Sequence, residues 1–159
     1  MKKFMMIAVM AVMSIAYAAA QPRAIGANLG YGAAFSYQHS LGDANMIDLA
    51  VEVPMFAGIG ASCTYDWIDP FGATVPWNEK GEWHWYMGVG AGAGMYNFAA
   101  PVGYAGAVGH IGIEYDFWFP MQLSLDWRPN VGAVFGKGFA GFNTSGLYSG
   151  ISLGIRYKF

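Results

Sequence analysis

One segment decides the fold class: Met121-Gln122-Leu123-Ser124-Leu125-Asp126-Trp127-Arg128, which alternates apolar and polar side chains without a break. A period of two is typical of a β-strand with two unlike faces, because successive side chains of a strand point to opposite sides. The segments 47–55, 111–117 and 151–159 repeat the pattern. The chain is therefore predicted to consist of two-faced β-strands.

The parity of the residue numbers extends this prediction to the whole chain. Odd-numbered strand positions are apolar or aromatic in nearly every predicted strand, so one face should meet apolar matter and the other polar matter. Even-numbered positions carry hydroxyls, glycine and eleven ionisable residues. These are Asp48, Glu52, Asp66, His84, His110, Glu114, Asp116, Asp126, Arg128, Arg156 and Lys158.

Composition decides which face is inside. Only 11% of the 159 residues are charged and 55% are hydrophobic, whereas soluble domains carry roughly 25% charged residues. Eleven ionisable groups are too few to cover the outside of a soluble barrel, but they suffice to fill a narrow lumen. An apolar outer face suits lipid, which also requires that the sheet close on itself. We predict an all-β fold: a closed eight-stranded antiparallel transmembrane β-barrel with a filled polar lumen.

The same composition excludes several function classes. With 8 Lys and Arg against 10 Asp and Glu, no nucleic-acid partner is expected. The single cysteine, Cys63, excludes an internal disulfide framework and a cysteine-based metal site. The segment Gly88–Ala93 matches a dinucleotide fingerprint in its letters but lacks the following helix that nucleotide binding needs. No metal, nucleotide or other cofactor is predicted, and the alternate glycines are expected to make room for bulky lumen side chains.

Residues 1–20 are predicted to be a cleaved signal peptide, and residues 21–159 the barrel domain. Lys2 and Lys3 precede an apolar stretch from Phe4 to Ile15, and small-x-small cleavage sites follow near Ala18. This stretch is shorter than the roughly 20 residues of a spanning helix. The leader therefore predicts export.

The strand count rests on one turn. Residues 24–39 could form a single strand, but splitting them at Gly30-Tyr31-Gly32 gives the even count that bacterial barrels use. Both termini then lie at the periplasmic end, although the connection 69–82 is long for a periplasmic turn. The predicted strands are 24–29, 33–39, 45–55, 58–68, 83–96, 103–118, 121–135 and 147–159. A membrane-interface girdle is predicted at that end, formed by Trp67, Trp83, Trp85, Tyr115, Phe117, Tyr157 and Phe159.

Several motifs resemble one family. They are Arg23-Ala24-Ile25-Gly26, Gly30-Tyr31-Gly32 with Ser36-Tyr37-Gln38-His39, 85–92, 112–117, 119–129 and the terminal Gly154-Ile155-Arg156-Tyr157-Lys158-Phe159. Over the whole mature chain they resemble the small eight-stranded outer-membrane β-barrel proteins of the Bacteroidota. The resemblance implies the fold and a place in the Gram-negative outer membrane, and no ligand. The last strand, which ends in Phe159, resembles the signal read by the barrel-assembly machinery.

Three functions remain open. If the hairpin between 83–96 and 103–118 turns near residue 100, His84 faces Asp116 and Tyr86 faces Glu114. A His–carboxylate pair can act as a general base, so His84, Asp116 and Glu114 are candidate catalytic residues of an enzyme acting on outer-membrane lipid or lipopolysaccharide. No serine nucleophile joins them, however.

The lumen charges suggest either a narrow passive channel or a salt-bridged plug, and the small size of such a barrel favours the plug. Six acids then face three bases. The leading hypothesis is a monomeric, non-enzymatic outer-membrane protein in contact with lipid, whose loops, chiefly Gly136 to Gly146, supply structural or surface contacts. Its predicted lumen network is Asp48, Glu52, Asp66, His110, Glu114, Asp116, Asp126, Arg128, Arg156 and Lys158.

Overall fold

The computed structural model describes residues 22–54, 56–70, 80–98, 100–144 and 150–159. The predicted signal peptide lies outside these residues. Ten strand segments follow one another along the chain. They are β1 (Pro22–Gly30), β2 (Gly32–Ser40), β3 (Asn45–Pro54), β4 (Ile59–Ile68), β5 (Glu82–Tyr96), β6 (Val102–Asp116), β7 (Met121–Trp127), β8 (Asn130–Gly136), β9 (Phe139–Asn143) and β10 (Ile151–Lys158).

Eight of these segments close a barrel. Each strand from β1 to β7 pairs antiparallel with the next, β7 pairs with β10, and β10 pairs back with β1. The predicted closed eight-stranded antiparallel barrel is confirmed. In the part of the chain that the structure describes, no helix has the length and apolarity needed to cross a membrane.

The first turn confirms the split on which the strand count rests. β1 ends at Gly30 and β2 begins at Gly32, with Leu29 opposite Ala33. β1 has 9 residues, more than the six predicted, because its pairing with β10 begins at Ala24 and its pairing with β2 at Pro22. The prediction of two short strands joined by a tight turn therefore holds.

The predicted strand 121–135 is interrupted. It consists of β7 and β8, which pair with different halves of β6 and are separated by Arg128 and Pro129. Proline has no backbone N–H to give to a sheet ladder and is found at breaks of this kind. β8 continues into the β-hairpin with β9, so Gly136–Gly146 is not the open loop that was expected: 139–143 is a strand. Of the predicted last strand, 147–149 lie outside the described residues.

The two ends of the barrel differ. The terminus end holds the start of β1, the end of β10 and the connections 41–44 and 117–120, and the far end holds Tyr31 and the connections 56–58 and 97–101. The β8–β9 hairpin also extends at the far end, because β8 pairs with the part of β6 nearest that end. Of the long connection at the terminus end, Asp69, Pro70, Lys80 and Gly81 are described.

Candidate functional site

The lumen is filled by side chains from every strand of the closed barrel. As predicted, the inward positions of the strands are the even-numbered ones. The largest side chains below 2% exposure in the described part of the chain are mostly polar: Arg156, Tyr86, Met46, His110, Gln38, Gln122, Glu114, Thr64, Asp48, Asp66, Asp126 and Ser36. Buried polar groups need partners, so their contacts define the site.

A histidine lies between two carboxylates at the centre. His110 Nδ1 is 3.0 Å from Asp66 Oδ2, and His110 Nε2 is 3.2 Å from Asp126 Oδ1. Thr64 Oγ1 donates to Asp66 Oδ2 at 3.1 Å. The hydroxyl of Tyr86 donates to Asp126 in a short bond. These contacts link β4, β5, β6 and β7 inside the lumen.

Arg156 joins this cluster from β10, the strand next to β7. Its Nη2 is 3.2 Å from Asp126 Oδ2, and its Nη1 donates to Ser124 at 2.6 Å and to Gln122 at 3.3 Å. The same guanidinium donates to the Ser36 hydroxyl on β2 and to the Asn28 side-chain oxygen on β1. Hydrogen bonds to ionised groups are stronger than neutral ones. Arg156 therefore ties β10 to β1, β2 and β7.

One charged member of the network was missed by the sequence reasoning. Arg23 has an odd number but lies inside, where its guanidinium pairs with the buried Glu114. The register of β1 against β2 shifts between Pro22 and Ala24, and such a bulge redirects a side chain. Lys158 pairs with Asp116 near the same end. The lumen acids thus face four bases, and parity alone could not find Arg23.

The predicted network also lacks its polar, uncharged members, although their even numbers place them on the inward face. Asn28, Ser36, Gln38, Thr64, Gln122 and Ser124 all have even numbers and are buried. They form hydrogen bonds with Asp126, Asp66 and Arg156, which a count of the charged residues does not reveal. Gln38 is the exception, because neither end of its amide has a partner among the described residues.

The candidate catalytic residues do not pair as expected. The β5–β6 register is shifted by two from the expected one, so His84 is opposite Glu114, Glu82 is opposite Asp116, and Tyr86 is opposite Gly112. The His84 ring instead contacts Asp69, with Nδ1 2.6 Å from Oδ2, and lies 3.6 Å from Glu82. Asp116 and Glu114 are paired with Lys158 and Arg23. The predicted pairing of His84 with Asp116 is therefore wrong.

The far end of the lumen is less tightly filled. Arg128 Nη2 lies 2.9 Å from Asp48 Oδ1, while Glu52 accepts a hydrogen bond from Tyr104 at 2.9 Å. The Tyr104 ring stacks on Tyr96 with centroids 4.4 Å apart. A cavity of about 100 Å³ opens beside these residues.

Two glycines show why the lumen accommodates tyrosine. A Cβ at Gly112 would overlap the Tyr86 ring, and one at Gly94 would lie 2.6 Å from the Tyr104 hydroxyl. The inward glycines of β5 and β6 thus leave room for rings from neighbouring strands, as the sequence reasoning expected of the glycine strip.

The outer surface is apolar. Leu153, Leu29 and Val89 are 67%, 62% and 61% exposed, and every ionisable Asp, Glu, Lys, Arg or His of the described strands has an even number except Arg23 and His39, which are both largely buried. The predicted girdle residues lie at the terminus end on odd-numbered positions. There the Trp83 and Tyr115 rings contact each other with centroids 4.9 Å apart, and Tyr115 and Phe117 meet edge to face at 4.8 Å.

Comparison with family models, with curated proteins and with solved structures finds no match for this chain. Within the described ranges, no group of three or more His, Cys, Asp or Glu side chains is arranged to hold a metal ion.

Proposed function

We propose that this protein is an integral outer-membrane β-barrel protein with a structural or surface-interaction role and no open pore. The observation that carries the proposal is the apolar outer face: among the charged side chains of the described strands, only that of Glu82, at the first position of β5, is mostly exposed. A water-exposed barrel would leave that apolar surface in contact with solvent, since monomeric soluble proteins rarely expose apolar patches larger than a few hundred Å². Lipid removes this cost and needs a sheet without edges.

The packed lumen supports the part of the proposal that concerns the pore. Arg156, His110, Asp66 and Asp126 are each at most 1% exposed and cross the interior through direct contacts. Eight-stranded barrels are just wide enough for side chains to fill. The protein then serves the envelope through its surface, not through a water-filled channel.

The remaining features fit this location. In this proposal the predicted leader at 1–20 directs export, and the resemblance to small Bacteroidota barrels supports insertion by the barrel-assembly machinery. In this proposal the chain is a monomer surrounded by outer-membrane lipid. The aromatic residues at the terminus end, among them Trp83 and Tyr115, form one interfacial girdle, where aromatic side chains are preferred.

Cell fractionation and gel migration test the membrane location. The protein should sediment with outer membranes, resist extraction by carbonate, and migrate differently on a gel before and after boiling, because a closed barrel stays folded in detergent. A soluble fraction whose unboiled and boiled samples migrate alike would overturn the proposal.

A charge placed on the outer face gives a sharper test. Leu125, at 48% exposure, faces outward near the middle of β7. In lipid vesicles Leu125→Arg should lower the free energy of unfolding by about 2–4 kcal/mol, the cost of arginine near the bilayer midplane. Phe142→Arg on β9, where Phe142 is 74% exposed, is the matched control and should cost about 0–1 kcal/mol. Equal small effects would indicate that water, not lipid, meets this face.

The lipid-enzyme alternative rests on the His84–Asp69 pair, which has the form of a general base and its orienting carboxylate. Among the described residues the ring contacts Asp69 and Glu82, and neither is a hydroxyl or thiol nucleophile of the kind that acyl transfer uses. His84→Ala followed by outer-membrane lipid profiling separates the two readings. We expect an unchanged acylation pattern, and an altered one would favour the enzyme.

A further inference from the structure

Two opposite charges line the cavity at the far end without pairing with each other. Arg128 and Glu52 both contribute to its wall. Within the described residues, the ion-pair partner of Arg128 is Asp48, and the side-chain hydrogen-bond partner of Glu52 is the uncharged Tyr104. Opposite charges in one partly enclosed space attract a ligand that can meet both.

The guanidinium has unused donors. Arg128 Nε and Nη1 are buried and have no hydrogen-bond acceptor in the described part of the chain. A buried N–H without an acceptor is costly and rare. Five donors in a planar fork match a carboxylate, so these two nitrogens indicate the chemistry of one end of a ligand.

The opposite wall suits a cation. The Glu52 carboxylate has no cationic partner among the described residues, and Tyr104 and Tyr96 present stacked rings in the same cavity. Aromatic faces and a carboxylate together attract ammonium groups. Tyr104 is only 3% exposed and donates to Glu52, so this wall is held in place before any ligand binds.

The cavity suits a small ligand. Its volume is about 100 Å³. Small wall residues such as Ala34 and Ala50 create the space. We propose that the far-end cavity binds a small zwitterion, with its carboxylate on Arg128 and its ammonium group between Glu52 and the tyrosine rings.

Calorimetric titration of the folded protein in detergent tests this site without reference to the membrane location. The probes are glycine, β-alanine and 4-aminobutanoate, which differ in the spacing of their charges, with acetate and methylammonium as singly charged comparisons. At least one zwitterion should bind about tenfold more tightly than either comparison, the factor that one lost charged contact of about 1.4 kcal/mol produces.

Substitutions assign the two walls. Glu52→Gln keeps an acceptor for Tyr104 and should weaken zwitterion binding about tenfold or more, whereas Asp43→Asn, an exposed carboxylate at the terminus end, should leave it unchanged. Removal of Arg128 alone would leave Asp48 Oδ1 without its cationic partner. The wall formed by Arg128 is therefore probed with the double variant Arg128→Gln with Asp48→Asn. If that variant does not fold, Glu52→Gln decides alone. Absence of zwitterion binding, equal binding of acetate, or wild-type affinity in Glu52→Gln would overturn the proposal.

Discussion

Asp126 shows how the lumen tolerates charge. The oxygens of this fully buried carboxylate form hydrogen bonds with the side chains of five residues: His110, Arg156, Tyr86, Ser124 and Asn28. An unpaired buried charge is costly, and a pair is stable only when its remaining hydrogen-bonding atoms are also satisfied. The members of this cluster therefore depend on one another, because the removal of one leaves hydrogen-bonding atoms of the others without a partner.

Replacing Arg156 by methionine should destabilise the barrel strongly. The substitution keeps the side-chain bulk but removes the cation from Asp126 and the donors from Ser36 and Asn28. Breaking one partner of a buried pair costs about 3–5 kcal/mol, which denaturant unfolding in detergent would measure. Lys137→Met in the exposed turn is the matched control and should change the free energy of unfolding by less than about 0.5 kcal/mol. Equal effects of the two would contradict the network.

Gly112 should not tolerate a side chain. Alanine there would overlap the Tyr86 ring and displace the hydroxyl that donates to Asp126. Overpacking of this kind costs about 1–3 kcal/mol. Gly141→Ala is the control, because the nearest side-chain atom to its Cβ is 4.0 Å away on Val134. Unfolding midpoints of the two variants should differ clearly, and a neutral Gly112→Ala would mean that Tyr86 can move.

Sequence parity predicted which charges lie inside but not how they pair. Asp48, Asp66, His110 and Arg156 were assigned correctly to the lumen because a strand alternates its faces. The inward position of Arg23 was not predicted, because a bulge breaks the alternation between Pro22 and Ala24, and no local sequence signal reveals the bulge.

At the scale of elements, the β8–β9 hairpin is separate from barrel closure. β7 pairs with β10 from Met121 to Trp127, and this seam does not involve β8 or β9. β9 contributes pairs only with β8 among the described strands. The hairpin is thus an extension of the far end, and the barrel does not require it.

Excision of the hairpin tip tests this division. Replacing residues 133–142 with Asn-Gly, the residues of a two-residue hairpin turn, should leave the difference in gel migration between unboiled and boiled samples intact. The free energy of unfolding should fall only modestly, because the excision removes three of the six β6–β8 residue pairs but none of the pairs that close the barrel. Deleting Leu153 instead shifts the register of β10 and moves its side chains to the wrong face, so that variant should fail to fold. Loss of folding in both would show that closure depends on the hairpin.

The strand boundaries that the sequence predicted well are those at turns marked by glycine. Gly30-Tyr31-Gly32 separates β1 from β2 as expected. The β5–β6 register was misjudged by two, because a turn near residue 100 would place Tyr96 opposite Tyr104, whereas Tyr96 pairs with Val102. A period of two cannot detect a shift of two residues, since every side chain keeps its face. His84 was therefore matched to the wrong carboxylate.

At the scale of the whole molecule, the interior decides whether ions pass. Porins of 16–18 strands hold an aqueous channel, but an eight-stranded interior holds side chains. An ion crossing this barrel would have to part Arg156 from Asp126 and His110 from Asp66, which are 3.2 Å and 3.0 Å apart. None of these four side chains is among the residues that line the far-end cavity.

The purified protein in planar bilayers should therefore show no steady conductance at neutral pH, whereas a water-filled porin reconstituted in the same way should conduct. The test extends to Arg156→Met, which removes the largest fully buried side chain's charge. If the paired charges close the lumen, that variant should gain brief openings while the wild type stays silent. Steady currents through the wild type would mean that the Arg156–Asp126 contact opens in the bilayer, and the reading of the lumen as a plug would then have to be replaced by that of a narrow channel.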